Sequence, residues 1–307
     1  MDDSRHYILY LENIYQKYPD KEGRFRTILN DIDLRVREGE FLTVVGPTGC
    51  GKSTLLRLIL GSERPFSGNL LVNDSKVSSP DRNRGIVFQK YSLFPHLTVL
   101  ENVIFGLQLE KFTLPGRLLG PIHFRKKSME FKKQAIEYLK RVGMDNDVNK
   151  YPYQLSGGMR QRVAIVQALI IQPALLLMDE PFGALDDGTR QVMQLFMLEQ
   201  WEKTKMTIFF VTHDLEEALF LGTRVIVLSP YYKTDCEECE GSKIVTDKAI
   251  SGSHPKPTDF KYTPEFNKLL EQIRRDGLDP SHTQHISQFD LSHADSYRSV
   301  TGDEWRR

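Results

Sequence analysis

The hydrophobic positions along the chain fall into short apolar runs and into longer stretches with a helical period. The runs at 41–45, 174–178 and 207–211 each contain at most one polar residue, which indicates strands buried on both faces. Within 28–36, Ile32, Leu34 and Val36 alternate with Asp33 and Arg35, as expected for a strand with one buried face. The pattern predicts strands at residues 7–15, 28–36, 41–45, 85–88, 174–178 and 207–211.

Helical periods separate these runs. Between 127 and 142 the residues Phe131, Ala135 and Leu139 share one face, and Gly143 follows as a stop signal. Ser156 is a suitable N-cap for the next apolar-periodic stretch, and the free N–H groups at such a helix start can bind an anion. Helices are predicted at residues 52–60, 98–109, 127–142, 156–171 and 263–275, with a Pro/Gly-broken insertion at 113–121.

A complete G-x-x-x-x-G-K-[ST] pattern lies between the strand at 41–45 and the helix at 52–60. It reads Gly46, Pro47, Thr48, Gly49, Cys50, Gly51, Lys52 and Ser53. Its glycines allow backbone N–H groups to approach phosphate oxygens, Lys52 supplies a charge for the β- and γ-phosphates, and the Ser53 hydroxyl suits Mg²⁺. A chance glycine-rich loop is the alternative, but the strand before and the helix after favour a phosphate loop.

Two adjacent carboxylates follow the strand at 174–178. Asp179 is placed to hold Mg²⁺, usually through water, and Glu180 could polarise an attacking water molecule. Taken alone, the pair could equally be an ordinary acidic strand end. Whether the pair is catalytic therefore has to be judged from the other segments of the chain.

Three of these segments resemble motifs of the ATP-binding-cassette family. Leu155-Ser156-Gly157-Gly158-Met159 resembles its signature segment, although Met159 stands where the family more commonly has Gln. Gly183-Ala184-Leu185-Asp186 resembles its D-loop, and Thr212-His213-Asp214 resembles its switch-histidine segment. With the phosphate loop and the carboxylate pair, the chain is similar to this family over about residues 7–230.

The resemblance implies an ATPase that uses ATP and Mg²⁺ and closes as a dimer around the nucleotide. The signature segment of one subunit would then meet the nucleotide held by the other. The implied catalytic residues are Lys52, Gln89, Glu180 and His213, and the implied metal ligands are Ser53, Gln89 and Asp179. The implied nucleotide-binding residues are Tyr18, which would stack on adenine, the phosphate loop 46–53 with Thr54, and Ser156, Gly157, Gly158 and Asp186.

The resemblance also implies the fold and the domain organisation. The expected fold is an α/β P-loop NTPase with a mainly parallel sheet, a small antiparallel β subdomain and a helical subdomain at about residues 90–172. We expect an ATPase domain at 1–230 and an extension at 231–307 that is partly disordered and has a helix near 263–275. The helical subdomain is the part that docks on membrane subunits in this family.

Composition restricts the possible locations and partners. Lys and Arg number 41, as do Asp and Glu, so no basic excess favours nucleic acid as the main partner. The polar start predicts no secretory signal, and no apolar window is long enough for a membrane span. With three cysteines the chain does not suggest a disulfide scaffold, and the cytosol is the expected compartment.

A single cassette in a separate chain resembles a bacterial importer subunit, peripheral on the cytoplasmic face of the membrane. The implied partners are a second cassette (the same chain or a paralogue), membrane permease subunits and, indirectly, an extracytoplasmic solute-binding protein. The apolar cluster Tyr91, Leu93, Phe94 and Leu97 is the predicted contact for a cytoplasmic helix of the permease, with 113–121 as the next candidate. A buried core of the helical subdomain is the alternative interpretation of that cluster.

The transported solute is less sharply indicated. The signature segment with Arg160-Gln161-Arg162 is similar to the nitrate, sulfonate and taurine importers, whereas residues 91–98 resemble sugar, polyamine and iron importers. The second group usually adds a C-terminal β-barrel domain, and the tail after Ser229 shows no ladder of alternating strands. The first group is therefore favoured, with export or lipid traffic, a soluble ATPase acting on DNA or ribosomes, and a module without turnover as alternatives.

The tail itself is predominantly polar. Cys236 and Cys239 lie in an acidic stretch that is expected to be a solvated loop, with half a zinc site or a redox pair as alternatives. His282, His285 and His293 stand among polar residues with few apolar anchors, and we expect no site to assemble from them.

Overall fold

The computed structural model describes residues 7–90, 92–111, 121–235, 240–252 and 256–296. Within these ranges the chain forms two compact units. One unit contains the residues up to Asp81 together with those from Thr207 onward, and the other is Arg82–Met206. Some predictions fall outside the described residues. They concern Tyr91, Cys236, Cys239 and the expected insertion at 113–121, of which only residue 121 is described.

The strands of the described residues follow the predicted order. They are β1 Tyr7–Pro19, β2 Phe25–Arg37, β3 Phe41–Val45, β4 Ser67–Val72, β5 Ser75–Lys76, β6 Arg84–Val87, β7 Leu175–Asp179, β8 Thr207–Val211, β9 Arg224–Ser229, β10 Tyr232–Lys233, β11 Lys243–Ala249 and β12 Gln284–His285.

The helices are α1 Lys52–Leu60, α2 Val99–Lys111, α3 Pro121–Arg141, α4 Gly157–Ile170, α5 Asp187–Thr204, α6 Leu215–Leu221 and α7 Pro264–Ile273. The described part of helix α3 begins at Pro121, earlier than the predicted start at 127. No helix among the described residues is long and apolar enough to cross a membrane.

An antiparallel sheet occupies one side of the first unit, in the order β2-β1-β4-β5. The alternation in β2 is as predicted, because Ile32, Leu34 and Val36 are buried. Strand β1 runs farther than predicted, to Pro19, and its pairing with β2 shifts register around Asn13. Asn13 has φ 48°, which marks a bulge that interrupts the sequence alternation and hides the second half of the strand.

A second sheet of the same unit holds β9, β3 and β8 in parallel. All residues of these three strands are buried, as expected for parallel strands covered on both faces. Strand β11 pairs antiparallel with β9. The sequence after Ser229 shows no ladder of alternating strands, and it gives no sign of this one strand in the sheet. Asp247 in β11 is buried and forms a bidentate ion pair with buried Arg224, so a core strand reads as polar in the sequence.

The tail also contributes an apolar helix to the core of its unit. Phe266, Leu270 and Ile273 of α7 pack in one cluster with residues of α6, including Leu215 and Leu219. Thr263 caps this helix through its side chain. These apolar side chains share one face of the helix, so a few of them are enough to attach this part of the tail to the core. The boundary at residue 230 stays a prediction.

One of the tail histidines lies in a cluster of ion pairs. His293 is close to Glu40 (3.7 Å) and to Asp295 (3.8 Å), and burial lowers the pKa of its ring. The Asp295 carboxylate also accepts hydrogen bonds from Arg37 and Tyr7. Because cations already neutralise these carboxylates, we read the cluster as an anchor for the end of the described chain.

The second unit combines a strand pair with helices. Strands β6 and β7 are parallel, and α2 packs against both α3 and α4. Helix α4 runs nearly as predicted, with Ser156 as its N-cap. The parallel strands, the small antiparallel sheet and the helical region confirm the predicted fold class.

Candidate functional site

The phosphate loop joins buried strand β3 to helix α1 in a conformation that requires glycine. Gly51 has φ 101°, in the left-handed region that side chains rarely adopt. A Cβ at Gly46 would lie 2.2 Å from the carbonyl oxygen of Leu228, so no larger residue fits there. Thr48 and Gly49 are exposed at the tip of the loop. The loop therefore presents its backbone to a ligand, as anion cradles do.

Lys52 is the cation of this loop. Its ammonium group donates to the carbonyl oxygens of Gly46 (2.7 Å) and Pro47 (3.1 Å), and the residue is only 7% exposed. The lysine thus bends back over its own loop. This arrangement concentrates one positive charge beside the backbone N–H groups that begin α1, which suits a polyphosphate.

The neighbours of Lys52 differ in what they can do. Ser53 is half-buried in the first turn of α1, where its hydroxyl could ligate a cation. Thr54 is buried and accepts a hydrogen bond from Arg57 (3.2 Å). Cys50 is buried as well, and burial raises the pKa of its thiol, which therefore stays neutral at physiological pH.

Tyr18 lies near the end of β1 and is half-buried. Its hydroxyl donates to the carboxylate of Glu63, which also pairs with Arg57 at 2.6 Å. The phenol end is thereby fixed. The hydrogen bond does not show what contacts the face of the ring, so the assignment of Tyr18 to adenine stacking stays a prediction.

His213 is exposed in the turn between β8 and α6. The turn is held by side chains on both sides of it. Thr212 donates to Glu217 (2.6 Å), and Asp214 accepts from the Glu217 N–H (3.1 Å) as the cap of α6. A histidine on such a braced turn keeps a defined position, which a catalytic or sensing role requires.

In the second unit, Asp179 ends β7 and Glu180 follows it. The Gln89 amide donates to a Glu180 carboxylate oxygen at 3.0 Å, so the structure brings these two predicted residues together. Glu180 has φ 47°, a left-handed conformation that non-glycine residues rarely adopt. Such strain is common at functional positions, where the surroundings enforce it.

Ser156 and Asp186 each begin a helix in this unit. Ser156 accepts a hydrogen bond from the Met159 N–H (3.3 Å), and Asp186 accepts one from the Thr189 N–H (3.0 Å). The bond from Thr189 holds the pKa of Asp186 below its usual range. The two segments are neighbours, because a Cβ at Gly158 would lie 3.3 Å from the carbonyl oxygen of Ala184.

The predicted docking cluster is partly exposed. The Phe94 side chain is 38% exposed and its ring contacts that of Phe105 at 4.8 Å, whereas Leu93 and Leu97 are half-buried. The loop is organised by Asn102, a fully buried residue that sequence reasoning missed. Its side chain accepts from the Phe94 N–H (2.8 Å) and donates to the carbonyl oxygen of Leu97 (2.9 Å).

These residues fit ATP and a divalent cation. Lys52 and the backbone of the phosphate loop match the charge of a triphosphate. The Ser53 hydroxyl and the Asp179 carboxylate are oxygen donors of the kind that Mg²⁺ prefers, and Asp179 is half-buried at a strand end. The set contains no sulfur or imidazole pair that would favour a transition metal instead.

Comparisons with known proteins agree with this chemistry. The sequence profile of the family described as ABC transporter matches residues 29–183. The chain is 37% identical over 265 residues to an aliphatic sulfonates import ATP-binding protein of Bacillus cereus, covering 85% of this chain and 94% of that protein. It is 41% identical over 246 residues to a nitrate import ATP-binding protein of Synechocystis, covering 79% and 87%.

Among solved structures, the fold is similar to that of a dimeric ATP-binding cassette in a post-hydrolysis state with ADP and phosphate bound. The TM-score is 0.65 at 30% identity, covering 80% of this chain and all of that one. The family suggested by the sequence motifs is thus confirmed, as is its similarity to the nitrate and sulfonate importers. The chain belongs to the ABC transporter family and is one of its ATP-hydrolysing, ATP-binding subunits.

Proposed function

We propose that this ATPase energises an importer of a small solute such as a sulfonate, taurine or nitrate at the cytoplasmic face of the cell membrane. The catalytic part of this proposal rests on the hydrogen bond from Gln89 to Glu180, because this bond holds a carboxylate next to Asp179 at the end of a strand. The import part rests on relatives, named for sulfonate and nitrate import, that are alike over about four-fifths of the chain.

The phosphate loop binds the triphosphate. Lys52 neutralises the β- and γ-phosphates, and the backbone N–H groups of Gly46, residues 48–51 and Thr54 donate toward phosphate oxygens. Ser53 and Asp179 would hold Mg²⁺, and Gln89 would act on the metal or the attacking water. A bound Mg²⁺ supplies positive charge that neutralises the triphosphate.

Glu180 acts as the general base. Its carboxylate polarises water and accepts the proton as the new bond from water oxygen to the γ-phosphorus forms. The bond between the γ-phosphorus and the β,γ-bridging oxygen breaks, and ADP leaves with that oxygen. Gln89 positions that carboxylate, and His213 stabilises the transferred phosphate from its braced turn. Tyr18 stacks on the adenine ring, with its hydroxyl held by Glu63.

A second cassette, either the same chain or a paralogue, completes the ATPase dimer. The helix start at Ser156, with Gly157 and Gly158, offers N–H groups to the γ-phosphate bound by the other subunit. Asp186 belongs to the adjacent segment of that contact surface. Permease subunits dock on the loop around Phe94, and a solute-binding protein outside the membrane acts through them.

Uptake by the assembled transporter tests this function. The chain would be purified with its copurifying membrane subunits, reconstituted in liposomes and supplied with ATP. We expect ATP-dependent uptake of labelled taurine, an alkanesulfonate or nitrate, and no uptake with the Glu180→Gln subunit. Transport of a sugar, a polyamine or iron would favour the runner-up group, and copurification with DNA or ribosomes would contradict the transport function.

A further inference from the structure

A cavity of about 420 Å³ lies within the unit Arg82–Met206, and none of the residues assigned above to ATP is among its lining residues. Its walls come from the residues that begin β6, from the C-terminal half of α2 and from the turn between α4 and β7. This volume lies in the range of sites that bind small molecules.

The polar part of the wall is cationic. Arg82 and Arg84 both line the cavity, together with the amides Asn83 and Gln172, and the lining described contains no acidic side chain. Arg82 is exposed, whereas Arg84 is 6% exposed. A guanidinium group offers several donors in one plane, so it suits an oxyanion such as a sulfonate or carboxylate. Burial strengthens that attraction because less water screens it.

The remaining wall is apolar. Leu109 and Ile171 face the cavity, and the other lining residues are two glycines and a proline. Leu109 is 56% exposed, so its side chain is accessible to a ligand. A ligand with a short hydrocarbon body would cover this surface. The cavity thus matches a ligand that has both a charged head and an apolar body.

The cavity is connected to the catalytic carboxylate through β6. Arg84 begins this strand, and Gln89 follows its end by two residues and holds Glu180. Helix α2, which supplies Leu109, also carries Asn102, the anchor of the Phe94 loop. A ligand bound between β6 and α2 would stabilise this arrangement, in which the Gln89 amide is bonded to Glu180 instead of to the metal or the attacking water.

We propose that this cavity binds a small organic oxyanion, of the alkanesulfonate type, and that the bound anion slows ATP hydrolysis. The regulatory half rests on the proposed function: an imported sulfonate that accumulates in the cytosol would restrain its own uptake. The binding half stands on the cavity alone.

Calorimetric titration of the full-length subunit without nucleotide tests the binding half. The probes are butanesulfonate, methanesulfonate, 1-butanol, butylamine and inorganic phosphate. We expect butanesulfonate to bind with a dissociation constant below about 10 mM and the other probes to bind more weakly. If 1-butanol bound equally well, the site would not require an anionic head. If phosphate bound equally well, the site would not require an apolar body. Either result would overturn the proposal.

Two variants and their matched controls locate the site. Arg82→Gln removes one guanidinium group and should weaken butanesulfonate binding by at least about tenfold, the effect of losing a charged hydrogen bond. Leu109→Trp should fill the cavity and abolish binding. The controls are Arg64→Gln, which changes an exposed arginine of the other unit, and Leu195→Trp, at a leucine that is 43% exposed on α5. Wild-type affinity in both cavity variants would place the binding elsewhere.

Hydrolysis by the same full-length chain tests the regulatory half. At saturating ATP, butanesulfonate should lower the rate of the wild-type protein and leave that of Leu109→Trp unchanged. Binding with no effect on hydrolysis would overturn the regulatory half. If the wild-type chain hydrolysed no ATP even without sulfonate, the proposed function would fail while the binding result would stand.

Discussion

Glu180 is held by its backbone as well as by its side chain. A left-handed φ of 47° costs an ordinary residue roughly 1–2 kcal/mol, so the surrounding structure must enforce it. Gln89 then fixes one carboxylate oxygen at 3.0 Å. The strain is therefore consistent with the catalytic role proposed for this residue.

Replacing Glu180 by Gln should separate binding from turnover. The amide keeps the size of the side chain but cannot accept the proton, so turnover should fall by about 10²–10⁴ while ATP still binds. Lys52→Ala should instead weaken ATP binding itself, since it removes the charge at the loop. The measurements are phosphate release by the intact complex and titration with a fluorescent ATP analogue. Glu202→Gln, on the exposed face of α5, is the control, and near-normal turnover of Glu180→Gln would refute the assigned role.

Lys256 links the stability of the tail to pH. Its ammonium group is buried, donates to the Gly222 carbonyl oxygen (2.6 Å) and has its pKa lowered by burial to about 7. Between pH 7 and 10.5 the unfolded chain therefore carries a proton that the folded chain lacks. The free energy of unfolding should rise with pH in this window, by at most about 1.4 kcal/mol per pH unit.

Urea unfolding at several pH values above 7, compared between wild type and Lys256→Met, measures this slope. The methionine variant should lose the rise that lysine contributes, and Lys268→Met, at an exposed position of α7, should keep it. Identical slopes in wild type and Lys256→Met would show that Lys256 does not titrate in this window.

Elements differ in how far their sequence predicts them. Strands β3, β7 and β8 and helices α1 and α4 are nearly as predicted, because continuous apolar runs and a clear N-cap leave one interpretation. Strand β11 was missed because Asp247 reads as a surface residue, although Arg224 neutralises it inside the core. Such a partner lies distant in sequence, so no local pattern reveals it.

The same reason explains what was missed around the site. Each motif could be read from its residues, but the contact of Gln89 with Glu180 joins positions that lie far apart along the chain. Asn102 gave no signal, since a polar residue in a helix usually faces solvent, and here it is fully buried. Its hydrogen bonds to the loop compensate for that burial.

The Phe94 loop should transmit ATP hydrolysis to the permease. Phe94→Ala removes an aromatic surface that is 38% exposed, so ATP binding by the free subunit should persist while assembly or substrate-stimulated hydrolysis falls. Pull-down of the membrane subunits and ATPase assays of free and assembled protein measure both effects. Leu195→Ala, at a similarly exposed residue of α5, is the control. Unchanged assembly and stimulation would move the interface elsewhere, with the segment 113–121 as the next candidate.

At the scale of the whole molecule, the proposed function requires each chain to offer both halves of a reciprocal contact. The proposed halves are the phosphate loop, which would bind the nucleotide, and the helix start at Ser156, whose N–H groups would face the phosphate of the partner. Two copies can therefore each complete the other. Lys and Arg balance Asp and Glu at 41 each, so net charge does not oppose association of two chains.

ATP should therefore drive dimerisation when it cannot be hydrolysed. In the Glu180→Gln background the mass by sedimentation should double from 35.5 kDa with Mg-ATP and stay monomeric with ADP, because only the γ-phosphate reaches the partner's helix start. Adding Ser156→Glu should prevent the doubling, since a carboxylate would face the phosphate. Ser78→Glu, on an exposed loop, should leave it intact and controls for the added charge. Equal mass with both nucleotides, with and without membrane subunits, would count against a dimer closed by ATP.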